Sequence, residues 1–123
     1  MSYVFYNPNP GNNITIDCTV RAITLLTGLD WDTVFIGLFK KAYEMKDMMD
    51  VNRVWGQYLI DMGYERKAIP DTCPFCYTVK DFCLDHPEGI YLLAADSHVV
   101  TVRNGDYYDT WDSGDKIPIY YWK

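Results

Sequence analysis

The feature that most restricts this chain is the dipeptide Asn104-Gly105, set between two β-rich runs, His98–Arg103 and Asp106–Trp111. Both residues tolerate positive φ, so the pair suits the two-residue turn whose twist matches the strands it joins. Such a turn sets a register. Arg103 should face Asp106, Val102 Tyr107, Thr101 Tyr108 and Val100 Asp109. Side chains alternate with period two along a strand, so His98, Val100, Val102, Tyr107 and Asp109 should share one face. His98 and Asp109 then become diagonal cross-strand neighbours. A slip of one residue would break this pairing.

Upstream of the hairpin the periodicity is helical. Ala22, Leu25, Leu26 and Leu29 fall at i, i+3, i+4 and i+7 and predict a helix over residues 18–27, with Gly28 at its end. Asp30 should cap a second helix that carries Phe35, Leu38, Phe39 and Ala42 to about Met45. Asp50 is the expected cap of a third, whose stripe Val51, Val54, Trp55, Tyr58, Leu59 and Met62 stops at Gly63. Thr78 and Asp81 have capping-box spacing for a short fourth helix ended by Pro87 and Gly89. Ile90–Ala94 and Ile117–Trp122 complete the expected strands, and the turn-rich segment Tyr3–Asn13 should be extended. Helices followed by antiparallel strands predict an α+β fold, with N-terminal helices packed on a C-terminal antiparallel sheet and residues 1–123 forming one domain.

Composition narrows the partners. The net charge is −6, with no Lys/Arg-rich run. Phosphate binding needs clustered cations, so a nucleic-acid partner is not expected, nor is an anionic membrane surface. No run of about 18 apolar residues offers a membrane span. Residues 1–11 lack the basic and apolar regions of a signal peptide. The expected compartment is therefore cytoplasmic and reducing, where Cys18, Cys73, Cys76 and Cys83 should be thiols or ligands rather than bridges.

A carboxylate beside a histidine holds the ring in one tautomer and stabilises the imidazolium. A histidine so held can activate a thiol, and Cys18 is the candidate. It stands at the expected start of the first helix, where free N–H groups and the macrodipole favour a thiolate and can receive an oxyanion. Asn12 or Asn13, just upstream, could add a side-chain donor. Asp17 is expected to cap the helix and Arg21 to neutralise it, both in structural roles. Asp112 rivals Asp109 as the orienting acid, but alternation puts it on the other face.

Cys on an N-terminal helix, then His on a strand, then Asp on its neighbour resembles the papain-like cysteine peptidase superfamily. Within it, the chain is similar to compact C39-like peptidases of the bacteriocin-processing type and to related phage and bacterial proteins. Asp17-Cys18-Thr19-Val20-Arg21-Ala22-Ile23 matches their nucleophile motif, an acidic residue before Cys and small and aliphatic residues after it. His98-Val99-Val100-Thr101-Val102 matches their His motif, and Asp109 within Tyr107–Asp112 their Asp. Their oxyanion Gln, six positions before Cys, is replaced here by the shorter Asn12. The resemblance implies a papain-like fold and a peptidase or amide hydrolase working through a thioester. Cys18 would be the nucleophile, His98 the base, Asp109 its orienting partner and Asn12 an oxyanion donor. It implies a peptide or protein substrate and neither a metal nor an organic cofactor. Deamidation and acyl transfer share the same intermediate.

Two other readings stand beside it. One is a catalytically silent papain-like module, of phage or mobile-element origin, that engages a protein partner. The other is a structural zinc site, since Cys73, Cys76, Cys83 and His86 form C-x2-C-x6-C-x2-H. Against zinc, Cys83 fits the apolar face of the fourth helix, and His86 sits where histidines cap carbonyls. Trp55 and Tyr58 belong to a core stripe, Trp111 could shield the His98–Asp109 contact or simply pack, and at least one of Tyr107 and Tyr108 should be exposed.

Overall fold

The hairpin forms in the expected register. In a computed structural model describing residues 1–123, strand β4 (His98–Arg103) pairs with β5 (Asp106–Asp109) as Thr101↔Tyr108, Val102↔Tyr107 and Arg103↔Asp106. Asn104 and Gly105 take φ of 50° and 80°, the left-handed values this turn requires. Strand β5 stops at Asp109 instead of running to Trp111. The Thr110 N–H is taken by the Asp109 carboxylate at 2.8 Å, and Asp112 accepts from the Gly114 N–H, so the backbone turns away.

The four expected helices are present: α1 (Cys18–Thr27), α2 (Trp31–Met45), α3 (Asn52–Asp61) and α4 (Val79–Asp85). Asp30 caps α2 by accepting from the Thr33 N–H, Thr78 and Asp81 complete the capping box of α4, and Gly28 closes α1 at φ 77°. Asp50 does not cap α3. Val51 holds that position with no side-chain cap, and the buried side chains behind it, Val54, Trp55 and Leu59, supply the stability.

The sheet order is β1-β5-β4-β3-β6-β2, with β1 (Tyr3–Phe5), β2 (Arg66–Ala68), β3 (Ile90–Ala95) and β6 (Pro118–Trp122). The α+β class holds, but the sheet is mixed and not purely antiparallel, because β1 runs parallel to β5. The added strands β1 and β2 are three-residue edges, and β2 is exposed throughout, so it carries no alternation to read.

Helices cover both faces. Leu92, Ala94, Val99 and Trp122 pack with α1, α2 and α3 around Trp55 and Leu59. Leu93, Val100, Val102 and Tyr107 pack on the other side against Val79, Phe82 and Cys83 of α4. Tyr108 is half-buried beneath Arg103, so neither hairpin tyrosine is exposed. No helix is long and apolar enough to cross a membrane.

One buried bond ties α1 to the central strand: the Thr101 hydroxyl donates to the Ala22 carbonyl at 2.7 Å. Thr101→Val keeps the shape and leaves that carbonyl without its extra donor. Urea unfolding should show a loss of about 1–3 kcal/mol at unchanged m-value.

Candidate active site

His98 opens β4 and Asp109 closes β5, which brings both to the same end of the hairpin. Their side chains meet: His98 Nε2 lies 2.6 Å from Asp109 Oδ2. Both are buried, His98 at 8% and Asp109 at 1% exposure.

Every lone-pair direction of Asp109 is occupied. Oδ2 also accepts from Ser113 Oγ at 2.6 Å, while Oδ1 accepts from Arg21 Nη2 and the Thr110 N–H, each at 2.8 Å. Burial pushes this carboxyl up, but the bonds from His98 and Ser113 and the charges of His98 and Arg21 hold it below the usual carboxylate range. An ionised carboxylate only accepts, so His98 must carry its proton on Nε2. Nδ1 is left for the thiol.

That thiol comes from the first turn of α1. Cys18 is half-buried beside His98, and burial alone would push its pKa up. Hydrogen bonding to His98 and to the Val99 backbone, with the charges of His98 and Arg21, outweighs burial and brings it below its ordinary value. Burial acts against the charged form of His98 too, yet its bonds to Asp109 and Cys18 push it up to about 9. The two shifts favour the same state, thiolate beside imidazolium.

Arg21 does more than neutralise Asp17. It is 3% exposed and bridges two carboxylates, with Nη1 2.5 Å from Asp17 Oδ1 and Nη2 on Asp109. Asp17 does not cap α1 through its side chain; its second oxygen accepts from Trp31 Nε1 at 2.9 Å. The residues that the sequence reading missed are Ser113 and the Arg21–Asp109 contact. Arg21 had a visible local partner four residues back, and nothing in the sequence pointed to Ser113.

Cys18 and His98 open onto a cleft of about 820 Å³ whose walls include Ile14, Ile16, Trp55, Trp111 and Ile119. Trp111 leans on His98 with ring centroids 4.7 Å apart and covers it from solvent. Asn12 is not brought there. It is exposed, sits at φ 57° in a turn closed by its N–H on the Asn9 carbonyl, and is not part of the cleft wall. Asn13 is likewise outside the wall. Asp112 accepts from Tyr107 and does not reach His98.

The Cys/His group of residues 73–86 is dispersed. Cys83 lies in the core, His86 Nδ1 bonds the Phe82 carbonyl at 2.9 Å and stacks on that ring, and Cys73 and Cys76 are exposed. They do not form a metal-binding cluster.

Arg21→Met should strand two buried carboxylates and cost roughly 3–5 kcal/mol in denaturant unfolding. The pH dependence has a defined sign. Folding raises the His98 pKa, so its stabilisation is complete below about 6.5 and is lost as pH rises through about 9. The melting temperature should fall over that window, and His98→Gln should flatten the fall.

Comparison with known proteins finds no matching family, no matching curated protein and no matching solved structure.

Proposed function

We propose that this protein is a cysteine hydrolase of papain-like arrangement that cleaves a peptide or other amide bond with Cys18, His98 and Asp109. The observation that carries the reading is the buried 2.6 Å contact from His98 Nε2 to Asp109, which leaves Nδ1 for a thiol whose pKa is lowered. Geometry and charge favour the same assignment of roles.

In the first half-reaction the Cys18 thiolate attacks the carbonyl carbon, and the carbonyl π pair moves onto oxygen. With Asn12 outside the cleft, the oxyanion falls to the free N–H groups of the first turn of α1. Collapse re-forms the carbonyl and breaks the C–N bond, and His98 gives its proton to the departing amine. The product is a thioester. Water then attacks it, His98 takes the water proton, and the carboxylic acid leaves as the thiolate is restored. Asp109 keeps its own charge throughout and steadies the ring.

The test is the alkylation rate of Cys18 against pH. It is read on the Cys18 peptide by mass spectrometry, because the exposed Cys73 and Cys76 alkylate too. Cys18 should react well below the ordinary thiol pKa of about 8.5 and slow when His98→Ala removes its partner. A Cys18 that titrates as an ordinary thiol, indifferent to His98→Ala, overturns the reading. On a quenched-peptide substrate found by library screening, Cys18→Ala should abolish turnover, and Asp109→Asn should lower kcat by roughly 10²–10⁴.

A further inference from the structure

The side chains behind the triad form a closed charge account. Asp17 and Asp109 are both buried carboxylates, and one guanidinium, Arg21, lies between them. Arginine does not lose its proton, so the three together carry one net negative charge. A buried charge without a counter-charge is costly. The one further group in contact that can supply a positive charge is His98, on Asp109 Oδ2. Asp17, Arg21, Asp109 and His98 sum to zero only when His98 is an imidazolium, and the Cys18 thiolate then adds its one negative charge on the half-buried cleft side.

We infer that Asp17 is a positioning residue of the site: by taking half of the Arg21 fork it leaves the charge of Asp109 to His98 and so keeps the imidazole protonated at rest. This deepens the proposed function and rests on Cys18, His98 and Asp109 acting together. Without Asp17, Arg21 would satisfy Asp109 alone, and His98 would have far less reason to hold a second proton. Trp31 takes part from α2, because its Nε1–H fixes the second oxygen of Asp17.

The other charged or titratable groups facing this cluster are few. Cys18 is hydrogen-bonded to His98, and the Tyr3 hydroxyl donates to the Asp109 carbonyl at 3.1 Å. Asp50 and Asp96 line the cleft at exposed positions, and exposed Lys116 sits over the outer Trp111 ring at 5.8 Å. Solvent screens these last three. Asp17 and Arg21 act from the buried side, where screening is weak.

Two substitutions should move His98 in opposite directions. Asp17→Asn removes the negative charge and frees Arg21 for Asp109, so the His98 midpoint should fall, by about one pH unit. Trp31→Phe keeps an aromatic ring beside Phe35 but removes the N–H, so Asp17 draws harder on Arg21. The midpoint should then rise by a few tenths of a unit.

The measurement is an NMR titration of the two histidines, His98 and the internal control His86, in the intact chain. In the unsubstituted protein His98 should deprotonate near pH 9. A His98 midpoint that is unchanged or higher in folded Asp17→Asn overturns the inference. Should that variant not fold, a midpoint in Trp31→Phe that is unchanged or lower overturns it. The hydrolase reading fails separately, on a Cys18 that alkylates as an ordinary thiol while His98 still shifts as described.

Discussion

A single guanidinium holds the two halves of the site together. Arg21 reaches Asp17 across one turn of its own helix and Asp109 across the sheet. Only arginine can do both, because its planar fork presents separate N–H donors in a fixed geometry, whereas a lysine ammonium is a point charge. The helix that carries Cys18 and the hairpin that carries His98 are thus locked by the same side chain. Thr101 adds a second tie one layer deeper, through its bond to Ala22. Relative motion of α1 and the β4–β5 hairpin would have to break both.

Burying this much polarity is tolerable only when it is fully satisfied. Asp109 shows how completely the fold achieves that, with His98, Ser113, Arg21 and the Thr110 N–H on its two oxygens. The turn after β5 is part of the solution. Asp112 gathers the Tyr107 hydroxyl and the Gly114 N–H, and that fold-back returns Ser113 to Asp109 while Trp111 covers His98. The early end of β5 is therefore a requirement of the site and not an irregularity of the sheet.

What could be read from the sequence was local or was propagated by strict periodicity. Asn104-Gly105 sets the register, and period-two alternation carries it to His98 and Asp109 without knowledge of the rest of the fold. Asp30, Thr78 and Gly28 announce helix ends because caps act within a few residues. Contacts that depend on how separate elements dock were invisible. Arg21 had a sufficient partner in Asp17, so nothing called for Asp109 as well. Asn12 stands at a suggestive distance along the chain, but the turn at Asn9–Asn12 leaves it at the surface. The cysteine spacing of residues 73–86 suggested ligands, whereas the helical position of Cys83 had already committed it to the core. Edge strands β1 and β2 are too short to display a period at all.

A carboxylate next to a nucleophilic thiol ought to be harmful, since a neighbouring negative charge raises a thiol pKa. The surroundings of Asp17 resolve this. Its charge is spent on Arg21 Nη1 at one oxygen and on Trp31 Nε1 at the other, so little of its field remains uncompensated at Cys18. What passes on is indirect: a carboxylate that occupies half of Arg21 leaves Asp109 under-neutralised, and Asp109 faces His98. In the proposed hydrolase the acidic residue preceding the cysteine therefore acts on the histidine and not on the thiol. Serine at that position would suit a helix N-cap as well as aspartate does. It would carry no charge, and Arg21 would then be free to quench the carboxylate on which the imidazolium depends.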